Sequence, residues 1–251
     1  LMDRIAKAGV PCVAITNMPL LPFLRRIPGL DTETLRECFH DPSIWDAFDP
    51  NLVTLCSPDP QAFRPPEEQP NVLQVRLPTN FKAARFSSDQ HTDMLRQIEA
   101  DIDSVRMELP AGEEVEVKLR VYESLFVPFA KWAMLMAGNY RCVQMDEMRP
   151  IKDAVHSNLV ETEAVYNWVV ELCCELGGEA SDFVPFSKYA KAAESLLNPS
   201  SVARALAGGS HNIERVDKLV SLIAKQRGQR LQTVDETVTV VEDWLSRNQS
   251  L

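Results

Sequence analysis

The 251-residue chain has no surplus of basic side chains: 26 Lys and Arg stand against 36 Asp and Glu, a formal charge of -10. Nothing in it forms a basic stripe able to neutralise a phosphate backbone, so nucleic acid is excluded as an expected partner. The six cysteines, Cys12, Cys38, Cys56, Cys142, Cys173 and Cys174, make no C-x-x-C pair, and the adjacent two are poorly placed to bridge or to share a zinc ion. The cytoplasm is the expected compartment. The four histidines, His40, His91, His156 and His211, show neither H-E-x-x-H nor a carboxylate at ligand spacing, and no metal is expected. No run approaches the ~18 apolar residues of a membrane span. The first ten residues carry Asp3, Arg4 and Lys7, which a signal peptide would not, so no membrane partner is expected. Only nine glycines occur, none in a G-x-G-x-x-G run, so no glycine-rich phosphate cradle is written in this stretch.

What is present suits a globular protein, with 45% hydrophobic residues to supply a core. The opening LMDRIAKAGV reads as the second half of an amphipathic helix with no cap ahead of it, so the chain is expected to begin inside a domain. The apolar run from 10 to 15, closed by Thr16 and Asn17, reads as a parallel strand buried on both faces. A helix is expected around 31 to 39. Strands are expected at 52 to 56 and 72 to 77, separated by Pro58, Pro60, Pro65, Pro66 and Pro70, which cannot donate to a sheet ladder. Met94, Leu95, Ile98 and Ile102 have helical spacing over 89 to 103, and Val115, Val117 and Leu119 alternate as a strand does.

From 121 onward the pattern is helical: 122 to 138, 150 to 176, 183 to 195, 199 to 207, 212 to 227 and 233 to 247. Gly138, Gly177-Gly178, Pro199, Gly208-Gly209 and Gly228 punctuate these segments. The expected organisation is a mixed α/β portion at 1–118 followed by an all-helical portion at 119–251.

Lys131 and Asn139 lie eight residues apart in Phe129-Ala130-Lys131-Trp132-Ala133-Met134-Leu135-Met136-Ala137-Gly138-Asn139, a little over two helical turns, so both point the same way. This segment resembles the K-x-x-x-N-x-x-x-N motif that opens the helical domain of ketopantoate reductases (2-dehydropantoate 2-reductases). Lys131 matches the lysine and Asn139 the second asparagine, while Leu135 departs from the middle one. Val13-Ala14-Ile15-Thr16-Asn17-Met18 is similar to the family's strand ending in Asn-Gly, with Met18 in place of the glycine. Pro199-Ser200-Ser201, followed by His211-Asn212-Ile213-Glu214, resembles its serine pair and its T-E-I-D helix start. The three matches fall in the family's order and cover nearly the whole chain.

The resemblance implies an incomplete Rossmann-like sheet followed by an all-α domain of the 6-phosphogluconate dehydrogenase C-terminal type, in a protein whose nucleotide-binding start lies upstream of Leu1. It implies an NADP-dependent reductase of a small 2-keto acid, with homodimers among the assemblies. Lys131 would be the general acid, because hydride transfer leaves negative charge on the carbonyl oxygen. Asn17 would face the nicotinamide and the substrate from the carboxyl end of a strand, where open α/β sheets bind ligands. Asn139 and either Ser200 or Ser201 would contact substrate. The family glutamate, shared between substrate and cofactor, maps to Asn212 without a gap and to Glu214 with a shift of two residues. Arg149 falls where a polar substrate contact is expected and could clamp a carboxylate.

Each residue also has a plainer reading. Asn17 can make a turn before Pro19, Gly138-Asn139 can end a helix, Ser200 and Ser201 can cap one, Glu214 can pair with Lys218, and Arg149 can be a solvated loop arginine. Two other functions fit the same residues: a reductase-fold binding or regulatory module without catalysis, favoured by the missing glycine motif, and an opine-type dehydrogenase, favoured slightly by Arg149.

Overall fold

The structure is a computed structural model and describes residues 1–57, 62–63, 69, 74–75, 80–108, 112 and 114–250. Of the strand expected at 72 to 77 only Gln74 and Val75 fall among these, and the five prolines that separate it from the strand expected at 52 to 56 lie outside them. In chain order the elements are α1 (Met2–Ala8), β1 (Cys12–Ile15), α2 (Leu21–Leu24), β2 (Val53–Ser57), β3 (Ala62–Phe63), β4 (Gln74–Val75), β5 (Asn80–Ala84), α3 (Asp89–Asp103), β6 (Met107–Glu108), β7 (Glu114–Val115) and β8 (Lys118–Tyr122). Helices follow: α4 (Ala130–Met134), α5 (Ile151–His156), α6 (Leu159–Glu175), α7 (Phe186–Ala193), α8 (Ser201–Ala207), α9 (Val216–Gln226) and α10 (Gln232–Gln249).

The main sheet has the order β1-β2-β5-β8. Parallel pairing joins β1 to β2 (Cys12 opposite Val53) and β5 to β8 (Asn80 opposite Lys118), and an antiparallel ladder at Cys56 and Ala83 joins the two halves. Period-two alternation sends the side chains of this sheet into two cores. Val53, Leu55 and Ala84 enter the main core with the helical region, and Cys56, Ala83 and Leu119 meet Phe86 and Leu95 in a smaller core under α3. Helix α3 covers that face because Ser88 caps it, accepting from the His91 N–H at 3.2 Å, and because Leu95 points inward. The main core is continuous from Met18 and Phe23 near the sheet to Val241 on α10.

Several expectations need correction. The segment from 31 to 39 holds only a 3-10 turn, Arg36–Cys38. Asp31 accepts the Glu33 N–H at 3.0 Å and Thr34 donates to the Asp31 carbonyl, so polar side chains take up the backbone groups a helix would need. The helix expected from 150 to 176 is two, α5 and α6, because Asn158 leaves the helical conformation and caps α6 through the Glu161 N–H. Among the described residues β1 pairs with β2 alone, and in this chain Ile15 is 58% exposed and Val13 40%, so one face of the strand is open where burial on both faces was expected. β5, unforeseen, supplies the second strand of the antiparallel junction. Gly138 does not end a helix: α4 continues through a π-helical turn, Leu135–Asn139, into a 3-10 turn, Tyr140–Cys142.

Phe129 is the pivot between the two regions. Its ring lies 4.0 Å from Trp132 in a stack and meets Phe23 edge-on at 5.9 Å and Phe126 at 5.6 Å. Phe129→Ala should lower stability by about 3–5 kcal/mol, the cost of emptying a packed aromatic site. Urea denaturation followed by circular dichroism measures it, and a loss under about 1 kcal/mol would contradict this packing.

Candidate active site

The end of β1 and the start of α4 meet directly. Trp132, fully buried, donates its indole N–H to the Asn17 carbonyl at 3.3 Å. Lys131, one residue earlier on α4, is half-buried, as are Thr16 and Asn17. The helix that carries the candidate proton donor is thus fastened to the strand tip that carries the candidate amide.

A second contact closes the same region from the C-terminal side. Thr16 donates its hydroxyl to Glu214 Oε1 at 2.7 Å. Tyr140 sets the backbone around Glu214: its hydroxyl donates to the Glu214 carbonyl and accepts the Val216 N–H at 3.0 Å. Burial pushes the Tyr140 phenol well above its ordinary value, so it stays protonated and able to donate. Immediately beyond, Arg215 forks onto the fully buried Asp217 at 3.0 and 3.1 Å, and Lys218 bridges Glu37 and Glu242 at 2.8 and 3.2 Å. The Glu214–Lys218 pair open to the sequence does not form: Lys218 turns to Glu37 and Glu242, which leaves the Glu214 carboxylate to Thr16.

Asn139 closes the π-helical turn, half-buried, and its carbonyl accepts the Ser200 hydroxyl at 2.6 Å. Ser200 also caps α8 by accepting the Ala203 N–H at 3.2 Å, so its hydroxyl joins two elements of the framework. Ser201, on the first turn of α8, Asn212 and Glu214 are all exposed, and of these Glu214 reaches the strand tip through Thr16. Arg149 donates from Nε to the Arg141 carbonyl at 2.9 Å and from a terminal nitrogen to Ser157 Oγ at 3.3 Å. The arrangement therefore gathers Thr16, Asn17, Trp132, Tyr140, Asn139, Ser200 and Glu214 through successive hydrogen bonds, with Lys131 beside Trp132. Thr16, Trp132 and Tyr140 are legible only as neighbours of Asn17, Lys131 and Asn139, since their roles depend on which backbone groups the fold brings opposite them.

Two comparisons, with family models and with curated proteins, give no match. Solved structures do match. D-mandelate dehydrogenase solved with NADH and anilino(oxo)acetate has a TM-score of 0.64 at 9% identity, over 99% of this chain and 74% of that one. Its complex with NADH gives 0.61 at 10%, over 100% and 75%. A ketopantoate reductase of the PanE/ApbA family from Ralstonia eutropha gives 0.59 at 15%, over 94% and 67%. The chain has the ketopantoate reductase fold. The likeness runs along nearly all of this chain.

Asp217 has no exposure to water, so Arg215→Met would leave a carboxylate buried without its counter-ion. The substitution should cost about 3–5 kcal/mol, and Asp217→Asn less, because Arg215 then keeps Glu242 at 3.6 Å as a counter-ion. Paired denaturant titrations of the two variants check this, and losses under about 1 kcal/mol in both, as for a solvated pair, would contradict it.

Proposed function

We propose that the protein is a nicotinamide-dependent oxidoreductase that reduces a small 2-keto acid or a similar carbonyl compound, with Lys131 as proton donor. The observation that supports this reading is the Trp132–Asn17 hydrogen bond, which joins the residue after Lys131 to the segment just past β1. Ligands of open α/β sheets bind at such strand ends.

The residues present fit the nicotinamide end of a dinucleotide. Asn17 offers a carboxamide at the strand tip, the exposed Ile15 an apolar surface, and Glu214 a carboxylate for hydroxyl groups. A pyrophosphate would need a cradle that none of the nine glycines here forms. A bound nicotinamide supplies the hydride. Lys131 would hold its proton at the carbonyl oxygen of the substrate, where negative charge grows as the hydride arrives, and would release it there. Asn139 would fix the substrate on the same helix face, and the Phe129–Trp132 stack would keep water from beneath the site. NADP is the cofactor expected from the family resemblance, and NADH is the one held by the mandelate dehydrogenase of like fold. Leu135, in place of the middle asparagine of the family motif, points to a substrate less polar than ketopantoate.

A binding or regulatory module is the second reading, favoured by that same leucine. NADH and NADPH titrations of the full-length protein, followed by assays on a panel of 2-keto acids, separate the two. The enzyme reading expects binding and turnover, and the module expects binding alone. Lys131→Ala should lower kcat by about 10²–10⁴-fold, the range for loss of a general acid, with the unfolding midpoint unchanged. Full activity in that variant would remove Lys131 from the chemistry.

A further inference from the structure

The α4 segment raises a geometric difficulty that its own irregularity resolves. An α-helix advances about 100° per residue, so the eight-residue spacing puts Lys131 and Asn139 on the same side of a regular helix only loosely, about 80° apart around the axis. A π-helical turn, bonded from residue i to i+5, advances less per residue and takes most of that angle back. The burial pattern agrees: Lys131, Met134, Leu135 and Asn139 form one half-buried stripe, while Trp132, Ala133, Met136, Ala137, Gly138 and Tyr140 are buried.

Three features make the turn. The Tyr140 N–H bonds back to the Leu135 carbonyl, a five-residue step. The Met134 carbonyl accepts the Tyr189 hydroxyl from α7 at 3.0 Å. Gly138 gives that hydroxyl its room, since a Cβ there would stand 2.1 Å from Tyr189 Oη. The glycine is not needed for its backbone, because its φ lies outside the left-handed region. Tyr189 is itself held in place, buried and stacked on Tyr166 with ring centroids 5.5 Å apart.

We propose that Tyr189 is a positioning residue: its hydroxyl, seated over Gly138, holds the π-helical turn that brings Asn139 onto the Lys131 face to meet the substrate. The inference rests on the reductase reading. It assigns Gly138 and Tyr189 as a matched pair, with neither touching substrate.

The test uses Gly138→Ala, Tyr189→Phe and the double variant in the full-length protein. Gly138→Ala alone should lose both stability and activity, because the new methyl group collides with the hydroxyl. In the double variant the 2.1 Å clash with the hydroxyl is gone, leaving the added Cβ 3.4 Å from the ring carbon and 3.1 Å from Val155 Cγ2, a contact that a few tenths of an ångström of side-chain movement relieves. Stability should then recover while the KM for a 2-keto acid stays raised by about tenfold, the order of one lost hydrogen bond to substrate. Asn139→Ala should raise KM equally and add nothing in the double-variant background. A double variant that recovers both stability and KM would overturn the proposal.

A crystal structure of the double variant gives a readout independent of turnover. The proposal expects a regular α-helix with Asn139 turned off the Lys131 face, and a persisting π-helical turn would overturn it. If the unaltered protein reduces no keto acid with either dinucleotide, the reductase reading fails, and the crystal structure alone still decides whether the Gly138–Tyr189 pair makes the turn.

Discussion

A buried indole N–H must donate to something, and the acceptor of Trp132 is the Asn17 carbonyl, 115 residues earlier in the chain. An unpaired donor at this depth would cost about 1–3 kcal/mol, so the contact resists separation of the strand tip from the helix. Every functional statement about the protein depends on it. Lys131 is useful as a proton donor only if a substrate resting against Asn17 can reach it, and the neighbouring indole is what ties the two together.

The rest of the structure supports that contact from beneath and from the side. Beneath, Phe129 stacks on Trp132 and meets Phe23 and Phe126, so the first turn of α4 is pinned by aromatic rings from both regions of the chain. From the side, Tyr140 clasps the backbone on both flanks of Arg215, and the buried Arg215–Asp217 pair anchors the start of α9. Glu214 is thereby presented to Thr16 at the same strand end. Ser200 adds a tie between Asn139 and the first turn of α8. The candidate groups thus sit on elements whose positions are set by packing and by satisfied hydrogen bonds, which a polar reaction centre needs if its donors are to be in place before charge develops.

The sequence made the long periodic elements legible. The apolar spacing and the Ser88 cap specify α3, and the stretch read as a strand at 52 to 56 forms one at Val53–Ser57, its alternate residues serving two different cores. The succession of a strand ending in Asn17, a helix bearing Lys131, and the Pro199–Glu214 stretch was enough to suggest the fold. Local competition for backbone groups was harder to read. Asp31 and Thr34 dissolve a helix by bonding their own neighbours, and Asn158 cuts one helix into two. Gly138 looked like a stop signal because glycine usually ends helices, yet it is there to admit a hydroxyl from residue 189. Arg149 had the chemistry of a substrate clamp, but the fold sets carbonyl and hydroxyl acceptors within its own reach. Such choices depend on partners tens of residues away, and a single sequence does not reveal them.

Hydrogen exchange at the Trp132 indole N–H, assigned by comparison with Trp132→Phe and followed by NMR, tests the central contact most directly. If Asn17 and α4 are locked together, this proton exchanges only as fast as the core amides of α9, through global unfolding. Exchange at the rate of a solvent-exposed indole, with the α9 amides still protected, would mean that the strand tip and the helix part in solution, and the shared site would not exist.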